Sequence, residues 1–448
     1  MVQEPTIQNS SGMFVRSIRR VTSFGFNQSL RELLGTIVVR FLVLGFNFGA
    51  TTLITRSLSV EDRGKYGYMF NLIYLLMTSL CFGFHSSIVY ILSQKRLYFA
   101  YLYTIAFIMA LGSFVVLTFL ALSGLLQHLC PLFNSFDVAI IVVAVPIVLF
   151  YYFNSYFFIS INDFKHYNLY EFLKNLSFML LTLITFKIVL PYQYFMIFFI
   201  ISNIVYVLAS FKQFSKLGYI KTNLSFVRNN WKKFVVIFKR SVNMASISYF
   251  SCILSFLLSK YVLFFIGTFL VIGIEQKQAL GYYAVALANA DISIVFPCTL
   301  AFYIFPKISA VQDLQDKISI VSKVILLCLL YFVSIGIFSY LFLDALFSLF
   351  YGPAYLASVP MFELLLPSAL FLSIISCISS FIGGIGMDRT AIYAPLCALI
   401  FMIGGSIILM QSSFNVYNFI IVQNFAYFIY LIIYARFFLK KWKESKNV

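Results

Sequence analysis

Arg40, Lys260 and Asp291 are charged residues that stand inside long apolar stretches of this 448-residue chain. A charge within a lipid bilayer costs roughly 2.5 to 3.5 kcal/mol on insertion scales, so such residues usually face a protein interior or a water-filled cavity. A guanidinium binds an anion through two parallel hydrogen bonds, whereas an ammonium acts as a point charge. We therefore expect Arg40 and Lys260 to face a central cavity and attract an anionic group. Asp291 would tune that cavity or take part in ion coupling.

A structural role is the alternative for the same three residues. Counting about 1.5 Å per residue from the ends of their apolar stretches puts Arg40 and Asp291 at depths that differ by roughly 5 Å, within reach of an arginine side chain. These two residues would then form an ion pair. Lys260 would extend its ammonium to the membrane interface. The sequence leaves both assignments open.

Two further sites have a similar double interpretation. Glu171 and Lys174 are three residues apart at the start of an apolar stretch, so they share a helix face and either pair with each other or make a gating contact. His85 lies within another apolar stretch, where a lone histidine is a packing residue or a possible gating group. The histidines His85, His128 and His166 are too scattered for a metal or catalytic cluster, so we expect no metal and no cofactor.

The composition shows what must position these residues. The chain is 62% hydrophobic and 10% charged, with a mean hydropathy of +0.95, whereas soluble proteins have roughly a quarter of their residues charged. About 20 apolar residues form a helix that crosses a bilayer. Twelve stretches of this kind predict an all-α integral membrane protein, with spans near residues 33–55, 67–92, 98–126, 137–161, 167–190, 193–211, 243–266, 281–305, 324–350, 362–386, 391–411 and 417–438.

The distribution of positive charge predicts the orientation. The 29 residues from Lys212 to Arg240 contain eight Lys or Arg and no Asp or Glu. With the N-terminus inside, about 24 of the 32 basic residues fall in cytoplasmic segments and about five outside, as the positive-inside rule requires. The net charge of +17 is thus explained by membrane insertion and lipid headgroups, and we expect no nucleic-acid partner. Both termini are predicted to be cytoplasmic.

An internal repeat suggests two halves. At an offset of 214 residues, Glu61, Gly67 and Tyr68 match Glu275, Gly281 and Tyr282. A duplication of this kind predicts two pseudo-repeated six-helix bundles around a central cavity, and transporters of that design bind substrate between their halves. The predicted organisation is a cytoplasmic segment 1–32, an N-lobe 33–211, a basic cytoplasmic linker 212–242, a C-lobe 243–438 and a cytoplasmic tail 439–448.

Several short motifs carry a specific resemblance. The stretch Leu58-Ser-Val-Glu-Asp-Arg-Gly-Lys-Tyr66 after the first span, Phe305-Pro-Lys-Ile-Ser309, and Leu349-Phe-Tyr-Gly-Pro-Ala-Tyr355 resemble the polysaccharide flippase family of the multidrug/oligosaccharidyl-lipid/polysaccharide exporter superfamily. Where many relatives have an acidic residue before a basic one in helix seven, this chain has Ser259 and Lys260, so no coupling role is transferred to that position.

The resemblance implies a multi-pass protein of a bacterial or archaeal inner membrane. Its expected activity is to move a polyprenyl-diphosphate-linked oligosaccharide, of the O-antigen or capsule type, from the cytoplasmic to the outer leaflet by alternating access. The anionic group expected at Arg40 and Lys260 would then be the diphosphate. Besides this glycan, the expected partners are membrane lipids. A proton or sodium ion could be coupled to transport, although the sequence does not require one, and the expected state is a monomer.

Two other functions compete with this one. A multidrug or toxin exporter of the same superfamily is expected to have an acidic cavity for cationic substrates, which the intramembrane cations argue against. A membrane polymerase or ligase acting on lipid-linked glycans needs catalytic residues on a sizeable outward loop. The longest predicted outward connection is only about residues 267–280, so we predict that the chain is not an enzyme.

Overall fold

A computed structural model describes residues 38–94, 96–186, 188, 190–219, 231–270, 274–311, 313–385, 389–410 and 415–446. Within these ranges every regular element is a helix, which confirms the predicted all-α class. In this part of the chain ten helices are long and apolar enough to cross a membrane, and one bent pair makes an eleventh span if it is counted as one. The predicted N-terminal segment 1–32, the centre of the predicted linker (220–230) and residues 447–448 of the predicted tail lie outside the described residues.

The described residues form twelve long helices, two of them in two parts, in the predicted order of spans. They are α1 (Val38–Ser57), α2a (Val60–Leu80), α2b (Phe84–Gln94), α3 (Phe99–Leu122), α4 (Ser135–Ser160), α5 (Phe164–Thr185), α6 (Tyr192–Lys216), α7 (Trp231–Phe265), α8a (Ile274–Ser293), α8b (Val295–Ala310), α9 (Leu314–Tyr351), α10 (Val359–Gly384), α11 (Thr390–Met410) and α12 (Val416–Lys446). Short turns of helix lie at Arg96–Tyr98, Leu125–Leu129, Ile266–Leu270 and Pro353–Ser358.

The second predicted span is broken. α2a and α2b meet at an angle of 56°, and the residues between them include Phe82 and Gly83, which have φ angles of 46° and 67°. A left-handed backbone at Gly83 costs little because glycine lacks a Cβ. A Cβ atom there would also lie 2.4 Å from the carbonyl oxygen of Ala245 on α7, so glycine allows the two helices to approach closely.

Helix contacts divide between the two halves of the chain. Among the first six helices, α4 packs against α2, α3 and α6, and α5 packs against α6. Among the last six, α10 packs against α8, α9 and α12, and α11 packs against α7 and α12. The two groups meet where α2 packs against α7 and α8. The junction between the two groups of helices is therefore formed by α2, α7 and α8.

A buried carboxylate fixes the start of α4 relative to α6. Asp137 accepts a hydrogen bond from the backbone N–H of Asn134 while Asn134 accepts one from the N–H of Asp137, a reciprocal cap that satisfies free donors in the first turn. The same carboxylate accepts hydrogen bonds from Tyr192 at 2.7 Å and Gln193 at 3.0 Å, both in the first turn of α6. These hydrogen bonds hold the first turns of α4 and α6 together.

Candidate functional site

A polar cavity of about 280 Å³ lies between the two groups of helices. α1, α2a, α5 and α6 form one side and α8a forms the other. Its side chains are unusually rich in amides, hydroxyls and charges for the interior of an apolar protein, and such groups in a concave site are the usual mark of a ligand pocket. The polar and charged lining residues are Asn47, Thr51, Arg63, Asn71, Lys174, Asn175, Ser202, Asn203 and Asp291.

Arg63 lines this cavity although its surface is only 3% exposed. Its Nε donates a hydrogen bond to the hydroxyl of Thr55 on α1 at 2.9 Å, and its guanidinium lies 5.4 Å from the ring centre of Tyr66. Among the residues that the structure describes, no Asp or Glu forms an ion pair with it. A buried cation with no carboxylate partner has a large desolvation cost, so this guanidinium is suited to an anionic ligand.

Lys174 is the second cation of the cavity, and it is paired. Its ammonium lies 3.1 Å from a carboxylate oxygen of Glu171, which is the pair that the three-residue spacing predicts. Lys174 also donates a hydrogen bond to the hydroxyl of Tyr151 at 2.6 Å, and that hydroxyl donates one to Glu171 at 2.6 Å. These contacts satisfy both charges within the first six helices. A gating role for the pair stays a prediction.

Asp291 on α8a brings the only carboxylate to the lining of the cavity in the part of the chain that the structure describes. Its Oδ2 accepts a hydrogen bond from the ammonium of Lys260 on α7 at 2.5 Å. The aspartate side chain is 47% exposed, whereas the lysine side chain is 9% exposed. Lys260 therefore lies behind Asp291, away from the cavity. The ion pair of Asp291 is with Lys260 and not with Arg40, the partner that the depths along the spans had suggested.

The charges around the cavity do not balance. Lys174 is compensated by Glu171, and Asp291 is compensated by Lys260. Arg63 is left as the one charge on the described lining without an opposite partner. The cavity therefore has a positive excess of one charge, which favours an anionic over a cationic occupant.

Arg40 faces a different cavity. This second cavity has a volume of about 590 Å³ and is lined almost entirely by apolar side chains of α1, α8, α9 and α10. Arg40 lines it and also forms a side-chain hydrogen bond with Tyr167 on α5. Phe48 and Ile292 line both cavities, so the polar and the apolar space adjoin.

His85 packs among aromatic and sulfur groups. Its Nδ1 lies 3.5 Å from the sulfur of Cys81, and its ring centre lies 5.4 Å from that of Tyr152 and 5.0 Å from that of Tyr156. This environment fits the packing role that the sequence left open. The gating role is a prediction that these contacts do not support.

The two groups of helices touch closely beyond one end of the polar cavity. We call this contact of α2a with α8a the seal; its residues are Val60, Gly64, Gly67, Gly281 and Ala284. A Cβ atom on Gly281 would lie 2.0 Å from the carbonyl oxygen of Val60, and one on Gly64 would lie 2.8 Å from the backbone nitrogen of Gly281. Only glycine permits this approach, so the backbones themselves close the cavity here.

Polar contacts surround the seal. Lys277 of α8a lies 3.5 Å from the carboxylate of Glu61 on α2a. Arg56 donates hydrogen bonds to the carbonyl oxygens of Leu349 and Phe350 at the end of α9, the latter at 2.8 Å. The hydroxyl of Tyr355 donates to the carbonyl oxygen of Leu58 at 3.3 Å. Each contact joins the first half of the chain to the second.

α2 also follows α7 over much of its length. The hydroxyls of Tyr68 and of Thr268, in the helical turn that follows α7, lie 2.7 Å apart near the end that carries the seal. The hydroxyls of Ser86 and Ser248 lie 2.7 Å apart near the other end. The rings of Phe82 and Tyr249 are 5.6 Å apart at the bend of α2. The α2–α7 contact therefore holds the two groups together beside the cavity.

Comparison with known proteins identifies the fold. A multidrug resistance MATE family transporter of the MOP superfamily, in an inward-facing conformation, aligns with 93% of this chain and 98% of its own at 12% identity and a TM-score of 0.64. Lipid II flippase MurJ, in an inward closed conformation, aligns with 92% of this chain and 90% of its own at 13% identity and a TM-score of 0.67. The chain has the fold of the MOP superfamily transporters. No family model matches the sequence, and no curated protein does.

An outward-facing MATE transporter of the MOP superfamily aligns equally well, with a TM-score of 0.63 at 14% identity over 94% of this chain and 96% of its own. These likenesses show the fold, and the apolar helices indicate a multi-pass membrane protein. The three matched proteins are two transporters and a flippase.

In this MOP-type fold, sequence reasoning missed Arg63. Arg63 follows the first predicted span, and it is one of the about five basic residues that the positive-inside count places outside. Arg63, Gly67 and Asn71 recur every four residues, so they share one face of α2a, and all three line the polar cavity. That spacing was the available signal. The spacing was hard to see because the apolar residues of the predicted span begin only after Arg63, so the arginine was not counted as part of the helix.

Proposed function

We propose that this protein is a flippase that moves a polyprenyl-diphosphate-linked oligosaccharide from the cytoplasmic to the outer leaflet. The observation that carries the proposal is the pair of adjoining cavities. The polar cavity has a positive excess, and it shares Phe48 and Ile292 with a larger apolar cavity. An amphipathic molecule with an anionic headgroup and a hydrocarbon chain is complementary to both spaces at once.

The proposed mechanism is alternating access between two lobes, the first and the last six helices. The seal closes one end of the polar cavity, and parting α2a from α8a would open it. We assign the sealed end to the outer face, because the excess of Lys and Arg lies in the segments predicted to be cytoplasmic. Both termini are then in the cytoplasm of a bacterial or archaeal cell.

The membrane potential favours this direction of transport. An inside-negative potential of about 100 mV is worth about 2.3 kcal/mol for each negative charge that moves outward. A diphosphate carries more than one charge, so outward movement needs no coupling ion. In this proposal Lys260 and Asp291 set the charge of the polar cavity wall, and Arg40 lines the apolar cavity that takes the hydrocarbon chain.

The second candidate is a multidrug exporter. Two observations favour it: the match to MATE transporters and the exposed carboxylate of Asp291 on the cavity wall, which offers a site for a cation. Its carboxylate is already neutralised by Lys260, and the net charge around the cavity is positive. The flippase is therefore the better fit to the electrostatics.

A deletion strain distinguishes the two candidates. Polyprenyl-diphosphate-linked oligosaccharide should accumulate on the inner leaflet, measured as glycolipid protected from an impermeant glycosidase in spheroplasts. Re-expression of the unsubstituted protein should restore its exposure. An unchanged glycolipid distribution together with increased retention of a cationic dye would contradict the flippase and support the exporter.

A further inference from the structure

The guanidinium of Arg63 stands at the meeting point of the polar cavity and the seal. Because Gly67, one turn along α2a, has no side chain, the guanidinium fits beside it. A Cβ atom on Gly67 would lie 3.1 Å from Nη1 of Arg63 and 2.8 Å from the Cβ of Ala284 on α8a. Gly64, which follows Arg63 in the sequence, contacts Gly281 in the seal itself. Arg63 thus borders the cavity on one side and the crossing of the two helices on the other.

We propose that Arg63 is the anion-binding residue of this transporter and that it holds the anionic group while access passes from one end of the cavity to the other. The proposed function supplies the identity of the substrate, but the binding of a phosphate-bearing group at Arg63 does not depend on it. When α2a and α8a part, the guanidinium becomes reachable from the newly opened end while it still lines the cavity. A bound anion then changes sides without leaving its partner.

The hydrogen bonds of Arg63 support this role. A guanidinium has five N–H donors. Thr55 accepts from Nε, and within the described residues no second hydrogen-bond acceptor is found for the terminal nitrogens. The bond to Thr55 anchors the side chain to α1, so a fork of N–H groups remains that matches two oxygens of a phosphate.

A second group in the same cavity also lacks a partner. The buried side-chain carbonyl oxygen of Asn203 has no hydrogen-bond donor among the described residues, while its amide nitrogen donates to the carbonyl oxygen of Phe199 at 2.8 Å. A buried acceptor of this kind destabilises the protein unless a ligand donor satisfies it. An unpaired cation and an unpaired acceptor in one cavity are complementary to a ligand with phosphate oxygens and hydroxyl donors, which is the chemistry of a sugar phosphate.

The other cations do not fit this role. Lys174 and Lys260 each have a carboxylate within 3.1 Å, so an anion must displace Glu171 or Asp291 to bind them. Arg63 has no such competitor in the part of the chain that the structure describes. A change at Arg63 is therefore expected to affect anion binding more than stability.

The test uses the full-length purified protein and inorganic diphosphate as the probe. Thermal unfolding is measured with increasing diphosphate for the unsubstituted protein, Arg63→Gln, Arg63→Lys and Lys65→Gln. Lys65 lies two residues away on the same helix, where it pairs with Glu61 at 3.1 Å, so it controls for the loss of a positive charge. Diphosphate should stabilise the unsubstituted protein and Lys65→Gln equally, because ligands that bind the native state raise its melting temperature.

Arg63→Gln should fold, since no carboxylate loses a partner, and its melting temperature without diphosphate should be equal or higher. Its affinity for diphosphate should fall about 10- to 100-fold, which corresponds to the loss of a charge-assisted hydrogen bond. Arg63→Lys should bind with intermediate affinity. Equal stabilisation of Arg63→Gln and the unsubstituted protein, or no stabilisation of the unsubstituted protein, would overturn the proposal.

A second measurement tests the change of access. Arg63→Cys in a protein whose native cysteines are replaced is labelled with a cationic impermeant thiol reagent, alone and together with Gly281→Ala. Opening the seal should raise the labelling rate of Cys at this position, and an unchanged rate would overturn the access step. Normal glycolipid export by Arg63→Gln would overturn the role of Arg63 while leaving the flippase intact. An unaffected deletion strain would refute the flippase while leaving diphosphate binding intact.

Discussion

Replacing Gly281 by alanine should open the seal. The added Cβ would lie 2.0 Å from the carbonyl oxygen of Val60 and 2.7 Å from its Cγ1. Contacts of real Cβ atoms essentially never fall below 3.0 Å, so α2a and α8a must separate by about 1 Å. The atoms that must move are mainly backbone, which cannot rotate away as the end of a flexible side chain can.

The size of the effect follows from the cost of overpacking. Forcing an extra methyl group into a well-packed contact costs about 1 to 3 kcal/mol. The cost falls on the closed arrangement alone, because the two glycines are in contact only while the seal is shut. At about 1.4 kcal/mol for each factor of ten, the open population should rise roughly 5- to 150-fold.

The assay is the labelling of a cysteine beside the seal. Leu58 is 8% exposed, and its carbonyl oxygen accepts the hydrogen bond from Tyr355, so Leu58→Cys reports on this end of the cavity. With the seven native cysteines replaced, the rate of maleimide labelling of the purified protein is compared between Gly281→Ala and Gly45→Ala. Gly45 on α1 is the matched control, because a Cβ there meets no atom within 4 Å.

Equal labelling rates in Gly281→Ala and Gly45→Ala would refute the reasoning. In that case the close approach of the two backbones does not determine whether the cavity is open at this end. A fall in melting temperature without faster labelling would lead to the same conclusion.

Three further predictions concern the ion pairs. Asp291→Asn should destabilise the protein by about 3 to 5 kcal/mol, because it leaves the buried ammonium of Lys260 without a partner. Lys260→Met should cost only about 1 kcal/mol, because the 47% exposed carboxylate of Asp291 stays in contact with the cavity. Equal melting temperatures for the two variants would contradict this asymmetry. Glu171→Gln and Lys174→Met should each lower the melting temperature more than the double variant does, since the double variant leaves no buried charge unpaired. A double variant as unstable as the sum of both would show that the two residues act independently. Glu61→Gln removes the half-exposed contact with Lys277, so it should raise the labelling rate of Leu58→Cys by less than about fivefold, the factor that corresponds to about 1 kcal/mol. The control Glu444→Gln breaks the pair with Lys441 inside α12 and should leave the labelling rate unchanged.

The sequence predicted the helices well because hydropathy alone determines where a chain can cross a bilayer. Even α5 was predicted, although Glu171, Lys174 and Asn175 make it too polar to be counted among the ten apolar spans. The Glu171–Lys174 contact was also predictable, since residues three apart on a helix are neighbours whatever the tertiary structure.

Contacts between helices were not predictable in the same way. Depth along a span gives no information about rotation around its axis, so the depth argument suggested Arg40 as the partner of Asp291 when the structure places Lys260 there. No proline marks the bend at Gly83 in the sequence. The bend depends on how closely α7 approaches the backbone of α2 there. The seal depends on glycines of α2a and α8a that are more than 200 residues apart, and the repeat aligned Gly67 with Gly281 without showing that their helices touch.

The central claim is that the adjoining cavities carry an anionic lipid-linked glycan across the membrane. Its most direct test is a transbilayer assay with the purified protein in vesicles, using a fluorescent polyprenyl-diphosphate-linked sugar in one leaflet and, in parallel, a lipophilic cationic dye. The account predicts protein-dependent movement of the glycolipid to the other leaflet, with no transport of the dye. Transport of the dye without movement of the glycolipid would contradict it.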